Sequence, residues 1–479
     1  MTPADPSSNP SPSSQPSSPH GGAVAAADVV ARLEAQGVRG VTIGWVDNNG
    51  IVRSRTVPVT RLGSAMATGV GVTAVFAVFD SHDGITFAHE GLATPSGDVR
   101  LVPVVQRVDD VVPLAGQPGI AWAHGRQVGA DGSAWPYDQR GVLERQVAAA
   151  AEAGFAVRAG FEVEMVLTHD RPDDPDGWHP AHRGPAYSAH AMLDVHGFVD
   201  DLLADLAANG VEIGQLHAEY GEAQVELSLE ATDPLSMADT QVLARQTIHA
   251  TARAHGLRAS FAPVTTSAGA GNGWHLHSSL VDLATGRNAL TGDGEHGLSD
   301  VGRGYLAGLL RELPGVVAVT APSTGSLLRR RPGYWAGAFG FWGVENREAA
   351  LRLVPGSALL GPEHTNVELK ACDASANPYL ALAVVIGAGL AGVSASLVPP
   401  APVQDDVGSW DQARRDEAGI AALATTFEEQ QSHLRGSALV REVLGEDLLG
   451  AFAACRDADA AWAADRDVDE VVASLRWQY

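Results

Sequence analysis

Cysteine is almost missing from this chain: Cys372 and Cys455 are the only two in 479 residues. Two thiols cannot build a disulfide framework, so a reducing cytoplasm is the expected compartment. A concentrated basic stretch is missing as well. Lys and Arg total 32 against 57 Asp and Glu, a formal net charge of −25, whereas phosphate backbones and anionic lipid surfaces are held by clustered Lys and Arg. Neither nucleic acid nor a membrane is expected as a partner, and a cationic partner is easier to accept. Residues 1–22 lack both the basic and the apolar segments of a secretory signal. They are mostly Ser, Pro and Gly, with Asp5 the only acidic residue, a composition that predicts a disordered tail. Charge is also absent from Ala374–Gln404, the one membrane-like stretch. Its apolar residues are mainly Ala, Gly and Val, which insert poorly. Asn377-Pro378 at its start reads as an N-cap followed by an N1 proline, so a buried core helix is expected there.

What is present is a large apolar fraction, 45%, ample for a core, and a length that suggests about three domains or two unequal ones. Val41–Val46, the polar turn Asp47-Asn48-Asn49-Gly50 and Ile51–Pro58 read as a hairpin. Further strands are expected at Thr73–Phe79 and Val99–Val105, giving a small β-rich domain over 23–130. Beyond it the chain alternates. Gly141–Ala153 reads as helix, Ala156–Leu167 as strand, Phe198–Asn209 as helix and Val225–Leu229 as strand. This predicts an α+β domain over 131–479. Asp170–Ala186, rich in Pro, Asp and Gly, reads as an exposed loop.

Five segments share one feature: two functional side chains separated by a single residue in a strand-like context. They are Glu162-Val163-Glu164, His217-Ala218-Glu219, Gln224-Val225-Glu226, His275-Leu276-His277 and Glu368-Leu369-Lys370. Side chains at i and i+2 of a strand point to the same face, while the residue between them packs on the other. One such pair is ordinarily a solvated strand face. Five pairs on one sheet would crowd Glu162, Glu164, Glu219, Glu226 and Glu368 into one cleft, which needs divalent cations. Carboxylate oxygens with an occasional His suit Mg²⁺ or Mn²⁺, and two such ions clamp a nucleotide triphosphate. The arginines of Arg329-Arg330-Arg331, with Arg347 and Arg352, supply forks for phosphate or carboxylate. A surface basic loop is the alternative reading of the triple-arginine run.

In order and spacing these segments resemble the glutamine synthetase family. The resemblance rests on Gly160-Phe161-Glu162-Val163-Glu164, on His217-Ala218-Glu219 with Gln224-Val225-Glu226, on Gly273-Trp274-His275-Leu276-His277-Ser278-Ser279-Leu280, and on Pro332-Gly333-Tyr334, Asn346-Arg347 and Glu368. It is completed by Asp373-Ala374-Ser375-Ala376-Asn377-Pro378-Tyr379-Leu380. It implies a small N-terminal β-grasp domain and a large C-terminal catalytic domain, an antiparallel sheet flanked by helices. It also implies two to three Mg²⁺ or Mn²⁺ per active site and ATP as co-substrate. By the same resemblance Glu164, Glu219 and Glu226 hold one metal, and Glu162, His275 and Glu368 the second. His277, Ser279 and Arg347 fall at ATP contacts, Gly271, Arg329 and Lys370 among glutamate contacts, and Arg347 and Arg352 at the transferring phosphate. A homo-oligomer of two stacked rings, a dodecamer, is implied as well.

Departures from the family narrow the expected activity. Where glutamine synthetases carry a flap glutamate that helps deprotonate ammonium, this chain has Trp335. An indole cannot act as a base, but it can hold an alkyl or cationic amine; packing against a neighbouring subunit is the alternative reading of Trp335. Ala270 replaces an asparagine, and Lys370 replaces an arginine and so loses the bidentate fork. Glu222 adds an acid near the cleft. Phe79-Asp80-Ser81-His82-Asp83-Gly84 is the nearest match to the family's ammonium-site aspartate segment. No tyrosine lies between Tyr379 and Tyr479, so the tyrosine adenylylated in some bacterial members is missing. The expectation is an ATP-dependent ligase that joins the γ-carboxylate of glutamate to an organic amine. Putrescine or spermidine is the first choice of acceptor and ethanolamine the next. An ammonium-using glutamine synthetase and an inactive structural or regulatory homologue are the alternatives.

Overall fold

Asp47 closes the first hairpin by taking the backbone N–H groups of Asn49 and Ile51 on its Oδ1, at 2.8 and 3.1 Å. An aspartate bonded to its own following amides is a turn the backbone need not make unaided. The strands it joins are β1 (Gly40–Val46) and β2 (Val52–Pro58), antiparallel with Val46 opposite Val52. In a computed structural model that describes residues 24–174 and 177–479, they belong to a six-stranded sheet. Its other members are β3 (Val70–Thr73), β4 (Asp98–Pro103), β5 (Val112–Pro113) and β6 (Ile120–Val128). The order is β2-β1-β6-β4-β3 with β5 beside β6, and only β1 and β6 run parallel. The tail expected to be disordered, 1–22, lies outside the described residues.

Not every sequence expectation holds in this part. The strand expected over Thr73–Phe79 ends at Thr73, and Ala74–Val78 is a 3₁₀ turn. The Thr73 hydroxyl caps the N–H of Val75. The carbonyls of Ala77 and Phe79 are taken by the side-chain amides of Asn48 and Asn49 rather than by a neighbouring strand. The apolar run meant burial here, not pleating.

The second sheet has eight strands: β7 (Phe155–His169), β8 (Ile213–Ala218), β9 (Gln224–Leu229), β10 (Leu257–Ser260), β11 (Trp274–Asp282), β12 (Trp342–Val344), β13 (Leu351–Val354) and β14 (Asn366–Leu369). Their order is β12-β13-β14-β11-β7-β9-β8, with β10 on β7, and every pairing is antiparallel except β12 with β13. Helices Gln139–Glu152 and Pro234–Ala254 pack against β7, giving the expected α+β architecture. The loop expected to be exposed over Asp170–Ala186 is so only in part. Pro180, Ala181 and His182 are buried, because His182 Nε2 reaches the carbonyl of Gln224 at 3.1 Å.

The uncharged stretch forms the helix Pro378–Ser394, buried from Pro378 through Gly389. Among the described residues no helix is long and apolar enough to cross a membrane. Its partner is the helix Asp300–Thr320, approached so closely that a methyl on Gly308 or Gly392 would overlap the opposing backbone. Asn377 caps the N–H groups of Tyr379 and Leu380 and donates to the carbonyls of Val46 and Asp47. The helix start and the first hairpin are thereby one hydrogen-bonded unit.

Asp138 makes a second joint between the sheets. Its carboxylate accepts from the N–H of Gln127 in β6 and of Gly141 in the first turn of Gln139–Glu152. Burial pushes this carboxyl up to about 6. A carboxyl with a raised folded-state value stabilises most fully below its unfolded value of about 3.9, and that contribution is lost as pH rises through about 6. Asp138→Asn gives up one of the two acceptor oxygens at every pH, but relative to the native chain it should gain roughly 2–3 kcal/mol in stability between pH 4 and pH 8. Chemical unfolding at the two pH values checks this; a difference independent of pH would contradict it.

Candidate active site

Strand alternation assembles the site. β14, β11, β7, β9 and β8 are successive neighbours in the second sheet, so the five side-chain pairs read from the sequence lie side by side. His275 stands opposite Glu162, His277 opposite Glu368, and Glu164 and His217 opposite Glu226. The intervening residues Val163, Ala218, Val225, Leu276 and Leu369 are buried, and the rings of Phe161 and Trp274, each one residue before a pair, stack with centroids 4.0 Å apart. Glu219 and Lys370 lie one residue beyond the ends of β8 and β14.

The functional face resolves into two triads whose ligand atoms lie within 4.8 Å of one another, Glu162 with His275 and Glu368, and Glu164 with Glu219 and Glu226. Their electrostatics differ. In the first, Glu368 is fully buried but accepts from Arg352 Nη1 at 2.9 Å and Lys370 Nζ at 3.2 Å. Burial would raise its carboxyl, yet the Lys370 charge and the two histidines bring it down to about 2. Burial is likewise overridden at Glu162, held well below the usual range by hydrogen bonds from His275 and His277. Lys370 is the only lysine in the chain; its Nζ also lies 3.4 Å from His275 Nε2.

In the second triad, no arginine or lysine is ion-paired with Glu164, Glu219 or Glu226 among the described residues. Burial, reinforced by the charges of Glu164, Glu162 and Glu219, pushes Glu226 up to about 9. Burial and the Glu164 charge also raise Glu219, against a hydrogen bond from the Tyr187 hydroxyl. Three crowded carboxylates without a protein cation are a donor set that fits a divalent, oxygen-seeking ion. Glu164 is held rigidly, its Oε2 accepting from Gln224 Nε2 at 2.8 Å and from the N–H of Gly273 at 2.7 Å. A Cβ on Gly273 would come within 2.5 Å of Glu164 Oε1, so only glycine allows this approach.

The remaining sequence candidates do not all reach this face. His277 Nδ1 is paired with Asn366 at 2.9 Å and Ser279 is buried on the same strand. Arg329 and Arg330 are 4% and 6% exposed, so the run Arg329–Arg331 is not a surface basic loop. Arg329 donates to the carbonyl of Cys372 and packs against Gly271 and Gly273 beside the triads. Arg330 turns away to Ala424 and Gln430. Arg331 donates to the carbonyl of Gly269 and stacks on Tyr334, which ties the Pro332–Trp335 turn to the loop carrying Gly271. Arg347 is exposed and Arg352 is bound to Glu368. Trp335 is 55% exposed at φ 53°, a left-handed conformation that costs a bulky residue about 1–3 kcal/mol. Glu222 is engaged by Trp178 Nε1 and Arg183. Sequence reasoning missed Tyr187, which sits in a turn with no periodicity to mark it, and Asn366, which opens β14 two residues before Glu368 and so shares its i, i+2 spacing.

With this geometry in view, comparison with known proteins is decisive. The family model described as "Glutamine synthetase, catalytic domain" matches residues 136–471. The chain belongs to the glutamine synthetase family. It is thus a member of a family of ATP-dependent ligases that use divalent metal. A gamma-glutamylpolyamine synthetase, GlnA3 of Streptomyces coelicolor, is 42% identical over 448 residues, covering 93% of this chain and 95% of that protein. The glutamine synthetase of Halobacterium salinarum is 30% identical, covering 88% and 90%. Among solved structures, a "novel glutamine synthase homolog" superposes with a TM-score of 0.80 at 30% identity, covering 92% of this chain and 99% of that one.

The charge imbalance of the second triad is testable without turnover. Glu226→Gln should raise the thermal midpoint of metal-stripped protein by roughly 2 °C, the scale of 1 kcal/mol, because it removes a crowded buried acid. It should also abolish most of the stabilisation that Mg²⁺ or Mn²⁺ confers on the native chain. An undiminished metal-induced shift in the variant would exclude Glu226 as a ligand.

Proposed function

We propose that this protein joins the γ-carboxylate of glutamate to an organic amine, with a polyamine such as putrescine or spermidine preferred, at the expense of ATP. ATP phosphorylates the γ-carboxylate, and the amine then attacks the acyl carbon of γ-glutamyl phosphate. The C–N bond forms, the C–O bond to phosphate breaks, and the amine proton is lost. The observation that carries the amine reading is Trp335 at the Pro332–Trp335 turn. Its exposed indole offers apolar and cation–π contact to an alkylammonium and no carboxylate to a bare ammonium. The likeness to a gamma-glutamylpolyamine synthetase over 93% of the chain supports the same choice.

In this reading Glu164, Glu219 and Glu226 hold one divalent ion and Glu162, His275 and Glu368 a second. When bound, such ions neutralise phosphoryl charge. His277, Ser279 and Arg347 contact ATP. Arg329, with Gly271 and Lys370, positions glutamate; Lys370 does so as a point charge rather than a fork. Arg347 and Arg352 stabilise the charge that develops on the transferring phosphoryl group. The chain's acidic excess favours approach of a cationic acceptor.

Phosphate release with ATP and glutamate over ammonium, ethanolamine, putrescine and spermidine tests the proposal. A polyamine should give the highest kcat/KM, and ammonium as the best acceptor would overturn the reading. Trp335→Glu should lower kcat/KM for the preferred polyamine about tenfold, the scale of one to two kcal/mol of cation–π and apolar contact. The same variant should improve the use of ammonium relative to that polyamine.

A further inference from the structure

The turn that carries Trp335 is held from below by an acid that the chemistry above does not use. Glu348 lies just after Arg347 and is 5% exposed. Its Oε1 accepts from the N–H of Gly333 and its Oε2 from the N–H of Trp335, both at 3.2 Å. Both of those residues are left-handed, Gly333 at φ 79° and Trp335 at φ 53°. Amides of a tight turn presented to one side in this way form a concave anion-binding surface. Here the anion is built in. Glycine takes such a conformation freely, whereas tryptophan does so only where its surroundings impose it. Glu348 makes no ion pair among the described residues, so these two amides are its principal partners. Burial raises its carboxyl, and the same two amides oppose that rise.

The acid is itself fixed. The N–H of Glu348 donates to Asn346 Oδ1, and Asn346 Nδ2 is anchored on the carbonyls of Val403 and Asp405. From the loop that presents Arg347, the chain thus reaches across to set the backbone of the turn that presents Trp335. Nothing else bonds the amide of Trp335 among the described residues.

We propose that Glu348 is a positioning residue of the acceptor site: its carboxylate latches the Pro332–Trp335 turn and holds the indole as a preset wall against the incoming amine. This inference rests on the reading of Trp335 as the amine contact. It predicts that Glu348 acts through Trp335 and on the acceptor step, not on ATP or glutamate.

A double-mutant cycle tests it with kinetics of the intact enzyme, using whichever acceptor serves the native chain best, ammonium included. Glu348→Ala should raise the KM for that acceptor about tenfold, with the KM values for ATP and glutamate within twofold of native. In a Trp335→Ala background it should raise the acceptor KM no further, since coupled residues are not additive. Glu348→Gln keeps the shape and one acceptor oxygen, and should fall between native and Glu348→Ala. If Glu348→Ala does not fold, Glu348→Gln in both backgrounds gives the same cycle. An unchanged acceptor KM in the native background, or an equal rise with and without Trp335, would overturn the latch. If ammonium proves the best acceptor of the native chain, the polyamine reading fails separately, while the cycle still decides the latch.

Discussion

Like charges on one face of a sheet are the constraint from which the rest of this molecule follows. Glu162, Glu164, Glu226 and Glu368 project from adjacent strands, with Glu219 at the strand end beside them. At separations of a few ångströms, carboxylates removed from water repel by several kcal/mol unless something neutralises them. A sheet can carry such a face only if the opposite face is packed well enough to hold the strands in place. The stacked Phe161 and Trp274, backed by the helices Gln139–Glu152 and Pro234–Ala254, provide that support. The apolar residues of the opposite face are as necessary to the site as the pairs themselves.

Neutralisation is divided unevenly. Around Glu162, His275 and Glu368 the chain supplies its own cations in Arg352 and Lys370, whereas around Glu164, Glu219 and Glu226 it supplies two histidines, His217 at 3.9 Å from Glu226 and His275 at 3.8 Å from Glu164, and the hydroxyl of Tyr187. One triad is partly satisfied by protein cations, and the other has no arginine or lysine paired with it among the described residues. The surrounding neutral donors, Gln224 and the N–H of Gly273, orient Glu164 without cancelling its charge.

The first sheet is tied to the segment that follows Lys370 by side-chain hydrogen bonds to its hairpin. Asn377, at the end of the segment that follows Lys370, holds the Val46–Asp47 carbonyls. Arg456 from the C-terminal helix Glu446–Ala463 meets Asn49 in the same turn and pairs with Asp459 at 3.0 Å. A hairpin turn with two asparagines and an aspartate would ordinarily be solvent-facing. Here Asp47, Asn48 and Asn49 are buried because each finds partners in distant segments, which a turn propensity cannot anticipate.

Sequence alone determined what is local: the i, i+2 pairs, the hairpin, and the asparagine cap and N1 proline of a core helix. Each depends on a period or a cap written within a few residues. The two triads of the second sheet were legible only in part. The pairs were visible, but their sharing of one face needed the strand order β14-β11-β7-β9-β8, which joins segments up to about two hundred residues apart. Tertiary structure decided the rest. It separated Arg329, beside the triads, from Arg330, turned into the core. It made a 3₁₀ turn of Ala74–Val78, and it brought Tyr187 to Glu219 and Glu348 to the amides of Gly333 and Trp335. Those outcomes depend on which distant partner satisfies a buried donor or charge, and a chain's neighbours in space are set only once its apolar faces have packed.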